Sequence, residues 1–146
     1  MRIPVTTLND GYDLPLLGLG TYKLGPEETE RVVRTAIELG YRHIDTASFY
    51  GNEVEVGKAI NAAIAAGDVT REELFVTTKL WNDDQERVAE AYQESLERLN
   101  LEFIDLYLVH WPWPQHGTYV QAFTQIAELQ GICLLYTSPS PRDRQK

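Results

Sequence analysis

The chain has 146 residues, 43% of them hydrophobic, which suits one ordinary domain with its own core. Its net charge of −9 argues against nucleic acid or an anionic membrane surface as a partner. No apolar run is long enough for a membrane span, Met1 to Leu8 is too short and polar for a secretory signal, and the single Cys133 lacks a disulfide partner, so a reducing, cytoplasmic setting is expected.

Val5 to Leu8 and Tyr12 to Leu14 are short β-like runs around Asn9-Asp10-Gly11. Asp-Gly between such runs signals a hairpin, because both turn residues must tolerate positive φ. Leu16 to Thr21 is an apolar strand whose two glycines permit close approach to the backbone. Gly25-Pro26 opens a helix to Leu39, with Glu27, Glu28 and Glu30 at its positive end and Val32, Val33, Ala36 and Ile37 as its apolar stripe. Gly40 is its expected left-handed stop. A strand from His43 to Ala47 follows, then a turn carrying Tyr50. The next helix starts near Glu53, with Asn52 and Glu55 spaced as a capping box and Val56, Ile60 and Ile64 facing inward. Leu74 to Leu80 is a third strand of the repeat. A helix from about Gln85 to Leu99 enters through Asp83 and Glu86, and Asp105 to Trp111 is a fourth strand. Thr118 and Gln121 cap a last helix to Leu129.

Strands that begin near residues 16, 43, 74 and 105 give a βα repeat of about 30 residues, the size of that unit. Near-continuous apolar strands alternating with helices predict an α/β fold with a parallel sheet buried on both faces, as in a doubly wound sheet or a barrel. The turn GLGTYKLGP lacks the spacing of a dinucleotide fingerprint and no phosphate loop occurs, which favours the barrel. Four units fall short of a (β/α)8 barrel of about 250 residues, and an open edge strand would expose apolar side chains. After residue 130 the pattern stops: GICLLYTSPSPRDRQK holds three of the 13 basic residues but one of the 22 acids, so acids nearly vanish. Residues 1–130 are read as the protein proper, and 131–146 as a foreign or disordered tail resembling translated adaptor or vector read-through, with Ile132 to Tyr136 able to form a strand.

Asp45, Tyr50, Lys79 and His110 fall at the carboxyl ends of three successive strands or in the loops just after them, and parallel strands bring such ends to one face. A phenol is a poor acid near neutrality, with an ordinary pKa of about 10, and an adjacent ammonium favours its ionised form. A carboxylate holds that ammonium in place, and an imidazole can donate to a substrate oxygen. Together they describe a proton donor to a developing alkoxide, which calls for a hydride source.

GYRHIDTASFYGNEVEVG, LFVTTKLW and IDLYLVHWP resemble three ordered signature blocks of the aldo-keto reductase family, with likeness from Arg2 to about Gln130. Their wording is most similar to bacterial members of the diketogluconate reductase type. The resemblance implies a (β/α)8 barrel, closed at the bottom by the hairpin and truncated here to about four βα units. It implies Tyr50 as general acid, Lys79 tuning it, Asp45 supporting Lys79 and contributing to the cofactor site, and His110 orienting the carbonyl. NADPH would be bound without a Rossmann fold, with Gly20, Thr21 and Tyr22 near the nicotinamide and Tyr22, Trp81, His110 and Trp111 around the substrate. The reaction implied is reduction of small aldehydes and ketones, such as sugar ketones and dicarbonyls, by a monomeric parent protein. The family's Ser/Asn pair, Gln, stacking aromatic and 2′-phosphate cluster have no counterpart here, so the chain by itself is expected to be inactive.

Singly, each of the four residues has a bland reading: a turn-capping Asp45, a packing Tyr50, a solvated Lys79, a core His110. Their conjunction in ordered blocks favours catalysis. Trp81 and Trp111 could simply pack. His43 is expected to be structural, His116 to be a loop residue with no partner, and no metal-ligand cluster is seen. The rival reading is a non-enzymatic regulatory or structural protein on the same barrel.

Overall fold

A computed structural model describes residues 3–8 and 10–136, with side chains through residue 129. A two-stranded antiparallel hairpin, β1 (Val5–Thr7) and β2 (Asp13–Pro15), comes first. The expected Asn9 turn position lies outside the described residues; Gly11 adopts φ +88°. Four parallel strands follow, β3 (Gly18–Gly20), β4 (His43–Asp45), β5 (Phe75–Leu80) and β6 (Leu106–Val109). They lie side by side in chain order. A doubly wound sheet reverses its strand order at a switch point, whereas this one winds in a single direction, as a barrel wall does.

Three helices link these strands: α1 (Pro26–Glu38), α2 (Glu53–Ala66) and α3 (Val88–Leu99); α4 (Tyr119–Tyr136) follows β6. Pro26 occupies the first turn of α1, where its missing N–H costs nothing, and Gly40 takes φ +100° just beyond the end. The main core lies between sheet and helices: Ile44 and Val76 meet Val33 and Ile37 of α1, Val56 and Ile60 of α2, and Leu99 of α3. A second cluster joins Leu80 to Val88 and Ala91 of α3 and Ala122 of α4. At Gly57 a Cβ would strike the backbone carbonyl of Leu99, so glycine is what lets α2 lie against the end of α3.

Several boundaries depart from the sequence expectation, each for a local reason. The Leu16 N–H donates to the Pro4 carbonyl of the hairpin (2.9 Å), and pairing with β4 begins at Gly18, so β3 starts there and not at residue 16. β6 starts at Leu106 and not at Asp105. The Asp105 N–H still donates to the Val76 carbonyl (3.0 Å), but the Val76 N–H is taken by the Asp105 carboxylate (2.8 Å), which also accepts from Arg71 (2.7 Å). The helix expected from Gln85 begins at Val88; residues 82–84 form a 3-10 turn, and Gln85 is buried instead, donating to the Trp111 carbonyl (2.9 Å). Asp83 and Glu86 do not cap α3, whose cap position is Arg87 without a side-chain bond. The Thr118 hydroxyl donates to Gln85 Oε1 (2.6 Å), tying the start of α4 to that turn. The chain stays helical through Tyr136, so residues 132–136 are not a strand; residues 137–146 lie outside the described residues. Burial on both faces holds for β5 alone. In β4 only Ile44 is buried while His43 and Asp45 on the other face stay partly open, β3 is largely exposed, and in β6 Leu108 is exposed on the side away from the helices. Four strands curl only part of the way round.

Beyond the apolar contacts, one ionic cluster joins sheet and helices. Glu53, 1% exposed, accepts from the Thr78 hydroxyl (2.6 Å), from Arg98 Nε (2.6 Å) and, at 3.4 Å, from the Ser95 hydroxyl. It links α2, β5 and α3 in one contact, and nothing in a first helical turn marked it as buried. Removing the carboxylate strands the buried Thr78 and Ser95 hydroxyls. Glu53→Ala is expected to lower stability by about 2–3 kcal/mol in urea unfolding followed by circular dichroism, and an unchanged midpoint would refute the cluster.

Candidate active site

The parallel register decides which side chains meet. Gly20 pairs with Asp45, Asp45 with Thr77, and Lys79 with Leu108. Strand alternation sends Val76, Thr78 and Leu80 toward the helices, and so Lys79 to the opposite face, where Asp45 also points. Asp45 is the last residue of β4, Lys79 the penultimate residue of β5, and His110 the first after β6. Tyr50 ends a 3-10 turn (Ser48–Tyr50) that Gly51 closes at φ +68°.

Three contacts hold the Lys79 ammonium. It donates to Asp45 Oδ1 (2.7 Å) and to the Thr46 carbonyl (2.8 Å), and lies 3.3 Å from the Tyr50 hydroxyl oxygen. Its side chain is only 13% exposed, so the charge depends on the adjacent carboxylate. The Ser48 hydroxyl donates to the Lys79 carbonyl (3.0 Å), anchoring the turn that carries Tyr50 to β5. The four residues singled out from the sequence therefore converge: the His110 ring stands edge-on to Tyr50 with centroids 5.5 Å apart.

Burial lowers the His110 pKa below its ordinary value, and the Lys79 charge lowers it further against the opposing pull of Asp45. Its Nδ1 is buried and has no hydrogen-bond partner among the described residues. The ring is thus a neutral imidazole at pH 7, still able to donate one N–H.

Around this cluster lies a cleft of about 350 Å³ lined by Tyr22, Phe49, Tyr50, Trp81, Asn82, His110 and Trp111. Phe49 stacks on Trp81 at 3.9 Å, and Trp81 stands edge-on to His110 at 5.2 Å. Phe49 and Asn82 were missed in the sequence: a phenylalanine beside a tyrosine reads as packing, and an asparagine opening an acidic turn reads as loop. Tyr22 lies against Tyr50 at 5.0 Å and is half exposed. Beside it a Cβ on Gly20 would meet nothing within 4 Å, so the end of β3 next to Tyr22 is open space. Thr21 is turned the other way: it is buried, and its hydroxyl lies within 3.2 Å of the Asp45 carbonyl.

The remaining histidines resolve differently. His43 Nε2 lies 2.9 Å from the Thr77 hydroxyl and its ring stands edge-on to Phe75, the structural role expected of it. Burial lowers its pKa as well. His116 does have a partner, contrary to expectation, for it stacks on Trp113 at 3.6 Å. No group of three potential metal ligands occurs among the described residues, and none of their helices is long and apolar enough to cross a membrane.

Residues 16–132 match the family model described as the aldo/keto reductase family. The chain belongs to the aldo/keto reductase family. It is 52% identical over 126 residues to methylglyoxal reductase DkgA of Salmonella typhimurium, covering 86% of this chain and 44% of that protein. It is 52% identical over 130 residues to an aldo-keto reductase of Mycobacterium tuberculosis, covering 88% and 45%. Among solved structures it resembles a Brucella melitensis aldo/keto reductase (41% identity, TM-score 0.82, 89% of this chain and 50% of that one). A second is the Bombyx mori aldo-keto reductase in complex with NADP (51% identity, TM-score 0.73, 77% and 39%). The chain thus spans about half the length of the relatives it matches, and its strands form part of their barrel.

Because the folded pKa of His110 lies below the unfolded value of about 6.5, its contribution to stability is present above that pH and is lost as pH falls from there through the folded value. Its ring resonances are expected to titrate below 6.5 in NMR spectra. Lys79→Met, which removes the nearby cation, is expected to move the midpoint upward. A midpoint at or above 6.5 in the unsubstituted protein would contradict this electrostatic picture.

Proposed function

We propose that the full-length protein carrying this sequence is an NADPH-dependent oxidoreductase that reduces small aldehydes and ketones, sugar ketones and dicarbonyls among them, with Tyr50 as proton donor. The observation that carries the reading is the Tyr50 hydroxyl 3.3 Å from an ammonium that Asp45 anchors at 2.7 Å. Relatives named methylglyoxal reductase support a small dicarbonyl as one substrate, and the NADP complex of the Bombyx mori relative supports the cofactor.

NADPH, when bound, supplies the hydride. Gly20 and Tyr22, with the Asp45 edge beneath them, are the residues that would hold the nicotinamide, while Thr21 shapes that loop from its buried side. His110, neutral and edge-on to the phenol, donates its N–H to the carbonyl oxygen and orients it. As negative charge develops on that oxygen, Tyr50 transfers its hydroxyl proton there, and the Lys79 cation stabilises the phenolate left behind. Asp45 holds the cation in register, and a proton from solvent restores Tyr50. Phe49, Trp81 and Trp111 line the cleft with apolar surface that the non-reacting part of a small carbonyl substrate can contact.

On this reading residues 1–130 carry the reductase portion, and residues 131–146 add nothing to it. The 146-residue chain alone is expected to be inactive, because more than half of its relatives' length has no counterpart in it. Tyr50→Phe in the full-length protein is expected to reduce kcat roughly 10²- to 10⁴-fold with methylglyoxal and NADPH, and retained turnover would remove Tyr50 as the donor. For the chain alone, NADPH titration monitored by the fluorescence of its three tryptophans is expected to give no saturable quenching. Saturable binding at micromolar NADPH would mean that these residues build a cofactor site unaided.

A further inference from the structure

Asn52 precedes α2 at the position of a helix cap, yet its side chain makes no capping bond. It is instead 2% exposed and turned under the site. Its amide nitrogen donates to the Thr21 carbonyl (2.8 Å) and lies 3.4 Å from both the Leu24 carbonyl and the Thr29 hydroxyl. Its oxygen accepts from the Thr46 hydroxyl (3.1 Å), with the Thr21 hydroxyl at 3.4 Å. One buried amide therefore ties together three segments that bound the reacting groups. The 21–24 loop carries Tyr22 against Tyr50. The end of β4 supplies the Asp45 carboxylate and the Thr46 carbonyl that hold Lys79. The third is the turn holding Tyr50 itself, two residues before Asn52 and joined to it through the left-handed Gly51.

Both ends of the amide are needed. Its oxygen meets hydroxyl donors and its nitrogen meets carbonyl acceptors, so neither a carboxylate nor an apolar side chain of the same size can satisfy all of these groups. Local capping would have used only the oxygen and left the loop after β3 without this anchor.

We propose that Asn52 is a positioning residue that sets the Tyr50–Lys79 contact and the seat of Tyr22 beside it. The inference rests on the reading of Tyr50 as proton donor. Asn52 touches neither substrate nor the reacting atoms; it acts through the two loops it joins, so its loss should weaken the chemical step more than substrate binding.

The test uses the full-length protein and compares Asn52→Ala with Asn61→Ala. Asn61 also lies on α2, with its side-chain amide bonded to the Gly57 and Asn100 carbonyls at the α3 end, away from the cleft. Expected for Asn52→Ala is a kcat loss of at least tenfold with methylglyoxal, a KM within threefold of the parent, and a Tm no lower than that of Asn61→Ala. Asn61→Ala should keep kcat within twofold. A kcat for Asn52→Ala within twofold of the parent, or equal losses in the two variants, overturns the proposal. Should Asn52→Ala fail to fold, Thr46→Val removes a single bond to the amide: a kcat loss of threefold or more at unchanged Tm supports the role, and an unchanged kcat overturns it. If the parent protein reduces no carbonyl, the proton-donor reading fails separately. The positioning role is then read in a crystal structure of whichever variant folds, where a Tyr50–Lys79 separation beyond hydrogen-bond reach supports it and the parent's spacing overturns it.

Discussion

An ammonium group almost enclosed by protein survives only where a carboxylate and further acceptors meet it, and Lys79 is such a group. It reaches across from β5 to Asp45 and Thr46 at the end of β4, and its remaining contact is the Tyr50 hydroxyl. The arrangement exists because two adjacent parallel strands run in register, Asp45 opposite Thr77, so that the residue two places further along β5 overhangs the end of β4. That offset sets the charge beside the phenol, and the same charge adds to burial in lowering the His110 pKa.

The two faces of the sheet use polar residues differently. On the cleft face Asp45, Lys79 and His110 stay partly accessible and can meet a ligand. On the helix face the charged group is Glu53, which is closed off completely and shared among Thr78, Ser95 and Arg98. Both faces alternate along the same six residues of β5, Phe75 to Leu80, so the strand carries a site on one side and a structural lock on the other. Asn52 lies between these functions: placed like a cap, it is used as a strut beneath the loops that flank the phenol.

Much of this was legible in the chain itself. The βα repeat, the parallel sheet and the meeting of the four candidate side chains follow from local signals: apolar runs of strand length, glycine and proline at helix ends, and chemistry-bearing residues that recur where strands stop. Boundaries were less legible where a side chain had a better partner far away. Asp105, just ahead of β6, turns its carboxylate to Arg71 and the Val76 N–H, and Gln85, in the turn ahead of α3, bridges Trp111 and Thr118. His116 seemed isolated because its partner, Trp113, is joined to it by a turn in which Trp113 takes a left-handed conformation.

The sequence by itself determined which residue types stand at the ends of which strands, because strand, turn and helix propensities act over a few residues and leave a periodic trace. Only the tertiary structure decided the order of strands in the sheet, the burial of Glu53, the stacking of Phe49 on Trp81 and the inward turn of Asn52. Those outcomes depend on hydrogen-bond partners and packing surfaces that lie 25 to 45 residues away along the chain, where several contacts made at once take the place of the single bond of a local cap.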